Sequence, residues 1–236
     1  MLALAKGYPF PAPDGSYLFR HGEAEPLAAG SYAAAPYRNR VPVLAHGSNR
    51  SPEQLKRKFG DGAEIPVTVG WLTGYDVVYS AHITQYGAVA STLHHAPGVR
   101  ARVSLNWLSP AQLERMHETE GPSNYRYGRL RRIELRLEAG PARSIADCTV
   151  YLSTNGCLER NGAPVGLAAV TAEGRHYDAL GQEEALTHVR DRYRPHLGLD
   201  DMILRKIRDN ALRKALVDEM RAQAVPPEAP HFEESG

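Results

Sequence analysis

The chain has 236 residues, of which 42% are hydrophobic, so it is long enough for one main domain with a sizeable core. Lys and Arg number 28 against 27 Asp and Glu, and the net charge of +1 lacks the basic excess that nucleic-acid or anionic-membrane binding requires. The sequence shows no membrane-length apolar run, no cleavable leader and no disulfide or zinc-knuckle spacing at Cys148 and Cys157. We expect a cytoplasmic protein with a small-molecule substrate and with no nucleic-acid or membrane partner.

The first part of the chain divides into an irregular segment and a strand–turn–helix unit. Residues 1–40 are rich in Pro, Gly and Ala with scattered Tyr and Phe, which indicates an extended segment held to a larger body by aromatic anchors. The apolar run at 41–45 leads into His-Gly-Ser-Asn at 46–49, which predicts a strand followed by a tight turn. Ser-Pro-Glu-Gln at 51–54 combines a capping Ser, a Pro at the first helical position and a Gln that can complete a capping box. A helix is predicted to start there.

The middle of the chain is predicted to be antiparallel sheet followed by a second helix. Residues 65–107 are rich in β-branched and aromatic side chains interrupted by Gly and Pro-Gly, which predicts several short strands. Ser-Pro-Ala-Gln at 109–112 repeats the capping pattern and opens a helix that Gly121-Pro122 should end. Glu120 is therefore predicted at the carboxyl end of a helix.

The remaining elements follow from periodicity. Residues 130–137 and 148–153 read as strands, the first with Arg and Glu on a solvated face. Helical spacing begins near residue 180, and the run from Asp200 is either two short helices broken near Asn210 or one helix with a wide buried face. The predicted organisation is an extended segment at 1–40, a β-barrel at 41–155, a loop with C-terminal helices at 156–224, and a tail with the composition of disorder at 225–236.

Two local features have the chemistry of a binding site. A Gly-Ser-Asn turn at 47–49 that runs into a capped helix presents unpaired N–H groups to a carboxylate or carbonyl oxygen. Such residues also occupy turns for purely conformational reasons. A Glu beside a helix-ending Gly, as at Glu120, is usually a solvated terminal residue, yet burial would shift its pKa toward neutrality and suit it to proton transfer.

The order of the motifs resembles the γ-glutamyl cyclotransferase-like (AIG2/ChaC-like) family over roughly residues 41–155. In chain order, the matching motifs are Ala-His-Gly-Ser-Asn at 45–49, Gly-Trp-Leu-x-Gly-Tyr at 70–75, Ala-Val-Ala-Ser at 88–91, Asn-Trp-Leu at 106–108, Glu-Gly at 120–121, Tyr-x-Arg at 127–129 and Cys-Thr-Val-Tyr-Leu at 148–152. This resemblance implies an α+β fold, a small mixed β-barrel with flanking helices, here extended by a helical C-terminal region.

The resemblance also implies roles for individual residues. Backbone N–H groups of Gly47, Ser48 and Asn49 would bind substrate, and Glu120 would be the general acid/base. Tyr127 would supply a supporting hydroxyl, with Tyr125 as a competing candidate. His46, beside Gly47, is a further candidate for substrate binding. It departs from the family, which commonly has Tyr at that position, and this places the identity of the substrate in question.

The implied reaction is intramolecular aminolysis of a γ-glutamyl amide, which releases 5-oxoproline and a free amine without metal or organic cofactor. Two alternatives remain open at this stage: a non-catalytic carboxylate-binding or regulatory protein on the same fold, and an amide hydrolase or acyltransferase variant. The oligomeric state is equally open between monomer and homodimer.

Three other patterns are better explained without a metal site, an anion-binding face or a serine nucleophile. Among the ten His residues, His94 and His95 are adjacent and point to opposite faces of a strand, so they cannot easily share a metal ion. The basic run of Arg126, Arg129 and Arg131 fits a solvated strand face. Ser48 lacks the GxSxG context of a serine nucleophile.

Overall fold

The computed structural model describes residues 1–120 and 124–235. Its helices are α1 (Leu2–Lys6), α2 (Pro52–Phe59), α3 (Pro110–Glu120), α4 (Gln182–Tyr193), α5 (Leu199–Arg208) and α6 (Asn210–Arg221). Its strands are β1 (Tyr17–Arg20), β2 (Glu23–Pro26), β3 (Val41–Ala45), β4 (Ile65–Ile83), β5 (Val89–Leu108), β6 (Tyr125–Leu137), β7 (Ser144–Ser153), β8 (Glu159–Arg160), β9 (Ala163–Pro164), β10 (Gly166–Leu167), β11 (Ala172–Glu173), β12 (Ala179–Leu180) and β13 (Phe232–Glu234). Short 3-10 turns occupy Ala35–Tyr37 and Ser48–Arg50.

Five strands close into a mixed β-barrel. Strand β4 pairs with β5, β5 with β3, β7 with β6, and β6 returns to β4, all antiparallel, while β3 and β7 pair in parallel. Closure gives each of these strands a neighbour on both sides, so their main-chain groups have partners without a long exposed edge. Together with the helices around it, this architecture confirms the predicted α+β fold, a mixed barrel with flanking helices and a helical C-terminal region.

The β4–β5 unit differs from the several short strands expected. These are two long strands of 19 and 20 residues joined by a turn that contains Gly87. Gly74 and Gly98 lie inside the strands with positive φ, and the register shifts between Thr73 and Tyr75. The glycines therefore bend a continuous hairpin, as β-bulges do, where the sequence pattern was taken to mark strand ends.

Alternation on β6 places its apolar residues in the core. Leu130, Ile133, Leu135 and Leu137 are buried, and the Arg and Glu residues between them are exposed, as predicted. The core extends from the barrel interior to the C-terminal helices, and a second cluster around Leu55 fills the space between α2, α3 and the barrel. Both faces of the sheet are thus covered where helices pack on it.

The N-terminal segment is more ordered than expected. Tyr8, Tyr17, Phe19 and Tyr37 are buried, which confirms the aromatic anchors. The segment also forms α1 and a β1–β2 hairpin that adds to the barrel sheet through β4. The helix and the hairpin strands have only four or five residues each, so the composition of residues 1–40 gives no clear signal for them.

The helix starts and breaks agree with the predicted positions, but only one of the two predicted capping boxes forms. Ser109 and Gln112 form a reciprocal capping box at α3, the Ser109 Oγ accepting from the Gln112 N–H at 3.3 Å and the Gln112 Oε1 from the Ser109 N–H at 2.9 Å. Helix α2 begins at Pro52 as predicted, but the capping box expected there is wrong, because Ser51 forms no side-chain cap and the Gln54 N–H donates to the Ser51 carbonyl oxygen. The run after Asp200 is two helices separated at Asp209, whose carboxylate caps α6. Gly121 and Pro122, predicted to end α3, lie outside the described residues.

The carboxyl-terminal tail differs from the disorder expected of residues 225–236. Strand β13 pairs with the start of β6, and the Phe232 ring packs on the core. Gly128 makes this docking possible, because a Cβ there would lie 2.4 Å from the Glu233 carbonyl oxygen. Among the described residues, no helix has both the length and the apolar character needed to cross a bilayer.

Candidate active site

A cavity of about 250 Å³ opens at one end of the barrel. The end of β3 and the turn after it form one wall, and the carboxyl end of α3 forms another. The tip of the β4–β5 hairpin and the start of β6 complete the lining. The cavity brings together Gly47, Ser48, Asn49 and Glu120, which lie about 70 residues apart in the chain.

The turn after β3, which lines this cavity, has unpaired N–H groups. The N–H groups of Arg50 and Ser51 donate to the carbonyls of Gly47 and Ser48. Among the described residues, those of Gly47, Ser48 and Asn49 have no acceptor, as expected at the start of a helical turn. The Asn106 side chain donates to the Asn49 carbonyl oxygen at 3.0 Å and holds the turn in place. The turn is therefore preformed to receive a ligand oxygen.

Gly47 is required at this turn by the close approach of its neighbours. A Cβ at position 47 would lie 2.3 Å from the Tyr8 hydroxyl oxygen and 2.6 Å from the Ser91 Oγ. These two hydroxyls are themselves hydrogen-bonded at 2.6 Å in a buried position, which leaves them little room to move.

We expect Gly47→Ala to displace the Tyr8–Ser91 pair and to reduce ligand binding at the cavity. Overpacking of this kind costs about 1–3 kcal/mol of stability, so the melting temperature should fall by several degrees. Gly62→Ala is a suitable control, because a Cβ there meets no atom within 4 Å. Equal melting temperatures for the two variants would contradict the close approach.

Glu120 is bound by two partners at the cavity wall. Its Oε1 accepts a hydrogen bond from the Asn49 Nδ2 at 2.8 Å and forms an ion pair with the Lys58 ammonium. The side chains of Glu120 and Lys58 are 15% and 8% exposed. Glu120 is therefore not the solvated helix-terminal residue that its position alone suggested.

The pKa of Glu120 moves in the opposite direction to the one expected from burial alone. Burial raises the pKa of the carboxyl group, but the charge of Lys58 and the hydrogen bonds from Lys58 and Asn49 together hold it below its usual value. The expectation of a carboxyl shifted toward neutrality is thus wrong for the ligand-free protein. Its resting form is the carboxylate, which can accept a proton.

His46 forms part of a buried chain of polar groups behind the turn. Its Nε2 lies 2.9 Å from the Tyr151 carbonyl oxygen, which can only accept, so Nε2 carries the proton and Nδ1 accepts. Nδ1 lies 3.0 Å from the Ser91 Oγ, and the Ser91 Oγ lies 2.6 Å from the Tyr8 hydroxyl. Burial lowers the pKa of His46 and favours this neutral form. The chain therefore runs in one direction, with Tyr8 donating to Ser91 and Ser91 to His46.

The two Tyr candidates occupy different places. Tyr125 lines the cavity and donates to the Ser91 carbonyl oxygen at 3.3 Å. Tyr127 does not line it, because it lies two residues further along β6, about 7 Å from the cavity end of the strand. The Tyr127 ring packs instead against His117 and Tyr151. The geometry thus favours Tyr125 over Tyr127 as the supporting hydroxyl.

Several residues of the cavity were missed in the sequence, among them Lys58, Tyr8 and Tyr86. Lys58 lies one turn after the buried Leu55 on the same face of α2. A charged residue on the buried face of a helix could have indicated a functional role. Tyr8 was grouped with the anchors, and Tyr86 received no role. Tyr86 lines the cavity with Ser48, and burial raises its pKa to about 12. Their contacts join distant parts of the chain and leave no local signal.

The other sequence candidates remain outside the chemistry of the cavity. His117 bonds the Tyr151 hydroxyl, and His94 lies 3.7 Å from the Cys157 Sγ. Within residues 1–120 and 124–235, no three His, Cys, Asp or Glu side chains are arranged to hold a metal ion. Cys148 and Cys157 are buried free thiols. The fold and the site define a mixed β-barrel protein with a buried carboxylate facing an N–H-lined turn.

No protein-family model and no curated protein matches the chain. Among solved structures it is similar to one named gamma-glutamyl cyclotransferase, with 18% identity and a TM-score of 0.39 over 49% of this chain and 67% of the other. An uncharacterized protein from Homo sapiens matches with 19% identity and a TM-score of 0.39, over 50% and 68% of the two chains. A solution structure from Arabidopsis thaliana matches with 13% identity and a TM-score of 0.38, over 73% and 86%. These likenesses concern the fold alone.

Proposed function

We propose that this protein is a γ-glutamyl cyclotransferase-like enzyme, which converts a γ-glutamyl amide into 5-oxoproline and a free amine. One observation carries the proposal. The buried Glu120 carboxylate accepts a hydrogen bond from Asn49, so the general acid/base and the turn with its unpaired N–H groups share one cavity. A proton acceptor and a set of oxyanion donors that converge on one substrate-sized space are what such an acyl transfer needs.

In this mechanism the α-ammonium of the γ-glutamyl group gives a proton to the Glu120 carboxylate. The free amine attacks the γ-carbonyl carbon, a five-membered ring closes, and negative charge develops on the carbonyl oxygen. The N–H groups of Gly47, Ser48 and Asn49 stabilise that charge, a contribution of about 3 kcal/mol for a preformed donor. The bond to the leaving nitrogen then breaks.

Two protons leave the attacking nitrogen in total, and the leaving amine gains both and departs as an ammonium ion. Glu120 carries these protons in turn, and it returns to the carboxylate at the end of the cycle. The first step requires an ionised base, and the carboxylate is the resting form of Glu120 because its pKa is held below the usual value. Lys58 holds it in that state.

Product analysis tests the proposal against its alternatives. The protein is incubated with γ-glutamyl amino acids, γ-glutamyl amines and glutathione, and 5-oxoproline, free glutamate and bound ligand are measured. The proposal expects 5-oxoproline from at least one compound. Free glutamate in its place would indicate an amide hydrolase. Binding of these compounds with no product would indicate a non-catalytic carboxylate-binding protein, and either result overturns the proposed reaction.

We expect Lys58→Met to move the acid limb of the kcat/KM profile to higher pH. In the wild type Lys58 and Asn49 hold the pKa of Glu120 below its usual value, so activity that depends on its carboxylate persists to low pH. Without Lys58, burial dominates and the pKa of Glu120 rises, so protonation inactivates the base at a higher pH than in the wild type. Lys56→Met is the matched control, because Lys56 lies on the same helix and pairs with the exposed Asp61. Coincident profiles for the two variants would exclude this role of Lys58.

A further inference from the structure

A second cavity of about 480 Å³ lies beside the first, between the hairpin tip and α6. The two cavities share His82, Gln85 and Asn124 in their linings, so they are adjacent. The first cavity, at about 250 Å³, lies at the small end of the range for ligand pockets. A substrate whose γ-glutamyl group fills the first cavity therefore has space for its leaving amine in the second.

The second cavity carries uncompensated positive charge. Arg213, Lys214 and Arg221 line it, against one carboxylate, that of Asp218. Asp218 lies 3.9 Å from Arg221. The Arg213 guanidinium donates only to neutral oxygens, those of the Lys206 carbonyl and the Asn210 side chain, at 2.9 and 2.6 Å. Within the described part of the chain, neither Arg213 nor Lys214 has a carboxylate at ion-pair distance.

His82, which lies at the boundary between the two cavities, adds no charge of its own. Burial, together with the nearby Arg213 and Arg221, lowers the pKa of His82 to about 4, so the ring is neutral at physiological pH. Its buried Nδ1 has no hydrogen-bond partner among the described residues. A polar atom buried without a partner is costly, which favours a ligand at this boundary.

The first cavity differs in charge. Lys58 and Glu120 compensate each other there, and this suits a γ-glutamyl group with one α-ammonium and one α-carboxylate. The second cavity retains two positive charges after Asp218 is paired with Arg221. An ordinary neutral amino acid as leaving amine supplies one carboxylate, and one cation remains without a partner.

We propose that the leaving amine is a dicarboxylate, an acidic amino acid or a peptide that ends in one, with its two carboxylates bound by Arg213, Lys214 and Arg221. This inference rests on the proposed cyclotransferase function and assigns its leaving-group specificity to α6. Arg and Lys are the residues that bind carboxylates by charge-assisted hydrogen bonds. The helix is thus a specificity element appended to the barrel.

The test compares two substrates of nearly equal shape, γ-glutamyl-glutamate and γ-glutamyl-glutamine. We expect kcat/KM for 5-oxoproline release to be about fivefold higher for the glutamate compound at low salt, the order of magnitude for one partly exposed charge pair. The ratio should fall toward one in 0.5 M NaCl, because salt screens exposed charges.

Variants then localise the preference. Lys214→Gln should reduce the ratio, and Lys214→Glu, which cancels the two unpaired positive charges, should abolish the preference, while both retain the wild-type melting temperature because Lys214 is exposed. Arg208→Gln is the control: it removes the same charge from the exposed end of α5 and lies outside the second cavity. Its ratio should match that of the wild type.

The outcomes separate this inference from the function on which it rests. Absence of 5-oxoproline from every γ-glutamyl compound overturns the proposed function. Release at equal kcat/KM from both substrates, or a preference that Lys214→Glu leaves unchanged, overturns the dicarboxylate inference and leaves the cyclotransferase standing.

Discussion

Glu120→Gln is expected to lower kcat/KM for 5-oxoproline release by a factor of about 10² to 10⁴, the contribution typical of a positioned general acid/base. The amide keeps an oxygen that accepts from Asn49 Nδ2, but it cannot take a proton from the attacking ammonium. Substrate binding should persist, because the N–H groups of the turn are untouched. Release is measured with saturating and limiting substrate so that kcat and KM are separated.

Two further variants control this result. Glu118→Gln changes an exposed residue of the same helix that pairs with Arg115, and it should leave turnover at the wild-type level. Glu120→Gln also leaves the buried Lys58 without its partner and so risks instability. The double variant Glu120→Gln with Lys58→Met removes both charges, and it should be folded and equally inactive. Wild-type turnover in either folded Glu120 variant would remove Glu120 from the mechanism.

Arg175→Met is expected to cause a large loss of stability, about 3 kcal/mol, with a fall in melting temperature of roughly 6–12 °C. Arg175 forms two hydrogen bonds with the fully buried Asp76, at 2.6 and 2.7 Å. The Tyr177 hydroxyl donates to the same carboxylate at 2.8 Å. Gly166 leaves room for the guanidinium, because a Cβ there would lie 2.7 Å from its Nε. Removal of Arg175 leaves a buried carboxylate without its cation.

Matched variants separate this effect from a general loss of surface charge. Arg160→Met removes an exposed pair with Asp178 in the same region and should change stability by less than about 1 kcal/mol. Arg175→Met combined with Asp76→Asn should be less destabilised than Arg175→Met alone, because the buried group is then neutral. Stability is measured by thermal and urea unfolding. An Arg175→Met variant as stable as Arg160→Met would show that the buried ion pair between Arg175 and Asp76 does not contribute to stability.

Much of the local structure could be predicted from short stretches of sequence. The capping residues Ser109 and Gln112 mark the start of α3, and the alternation along β6 separates its buried from its exposed face. The order of turn, Gly-Tyr strand and Glu120 predicted that the two halves of the site belong together, and the cavity places them side by side. The predictions of capping and alternation succeeded because these features depend on residues only a few positions apart, whereas the pairing of the turn with Glu120 came from the family resemblance.

The errors share a physical cause. Gly74 and Gly98 were taken as strand ends, but the barrel uses positive-φ glycines to bend one long hairpin. The tail was expected to be disordered, but its backbone pairs with β6 at Gly128, and main-chain hydrogen bonds carry little information in the side chains. The composition of a segment indicates its local structural tendency, but it does not indicate which strand the segment pairs with in the folded protein.

By itself, the sequence determined the α+β class, the strand–turn–helix unit around Gly47 and the position of Glu120 at a helix end. Only the tertiary structure decided the chemical state of the site. Lys58 lies 62 residues from Glu120 in the chain and reverses the direction of its pKa shift, and Tyr8 lies 83 residues from Ser91. A pKa depends on charges and burial within a few ångströms, and those distances exist only once the barrel has closed.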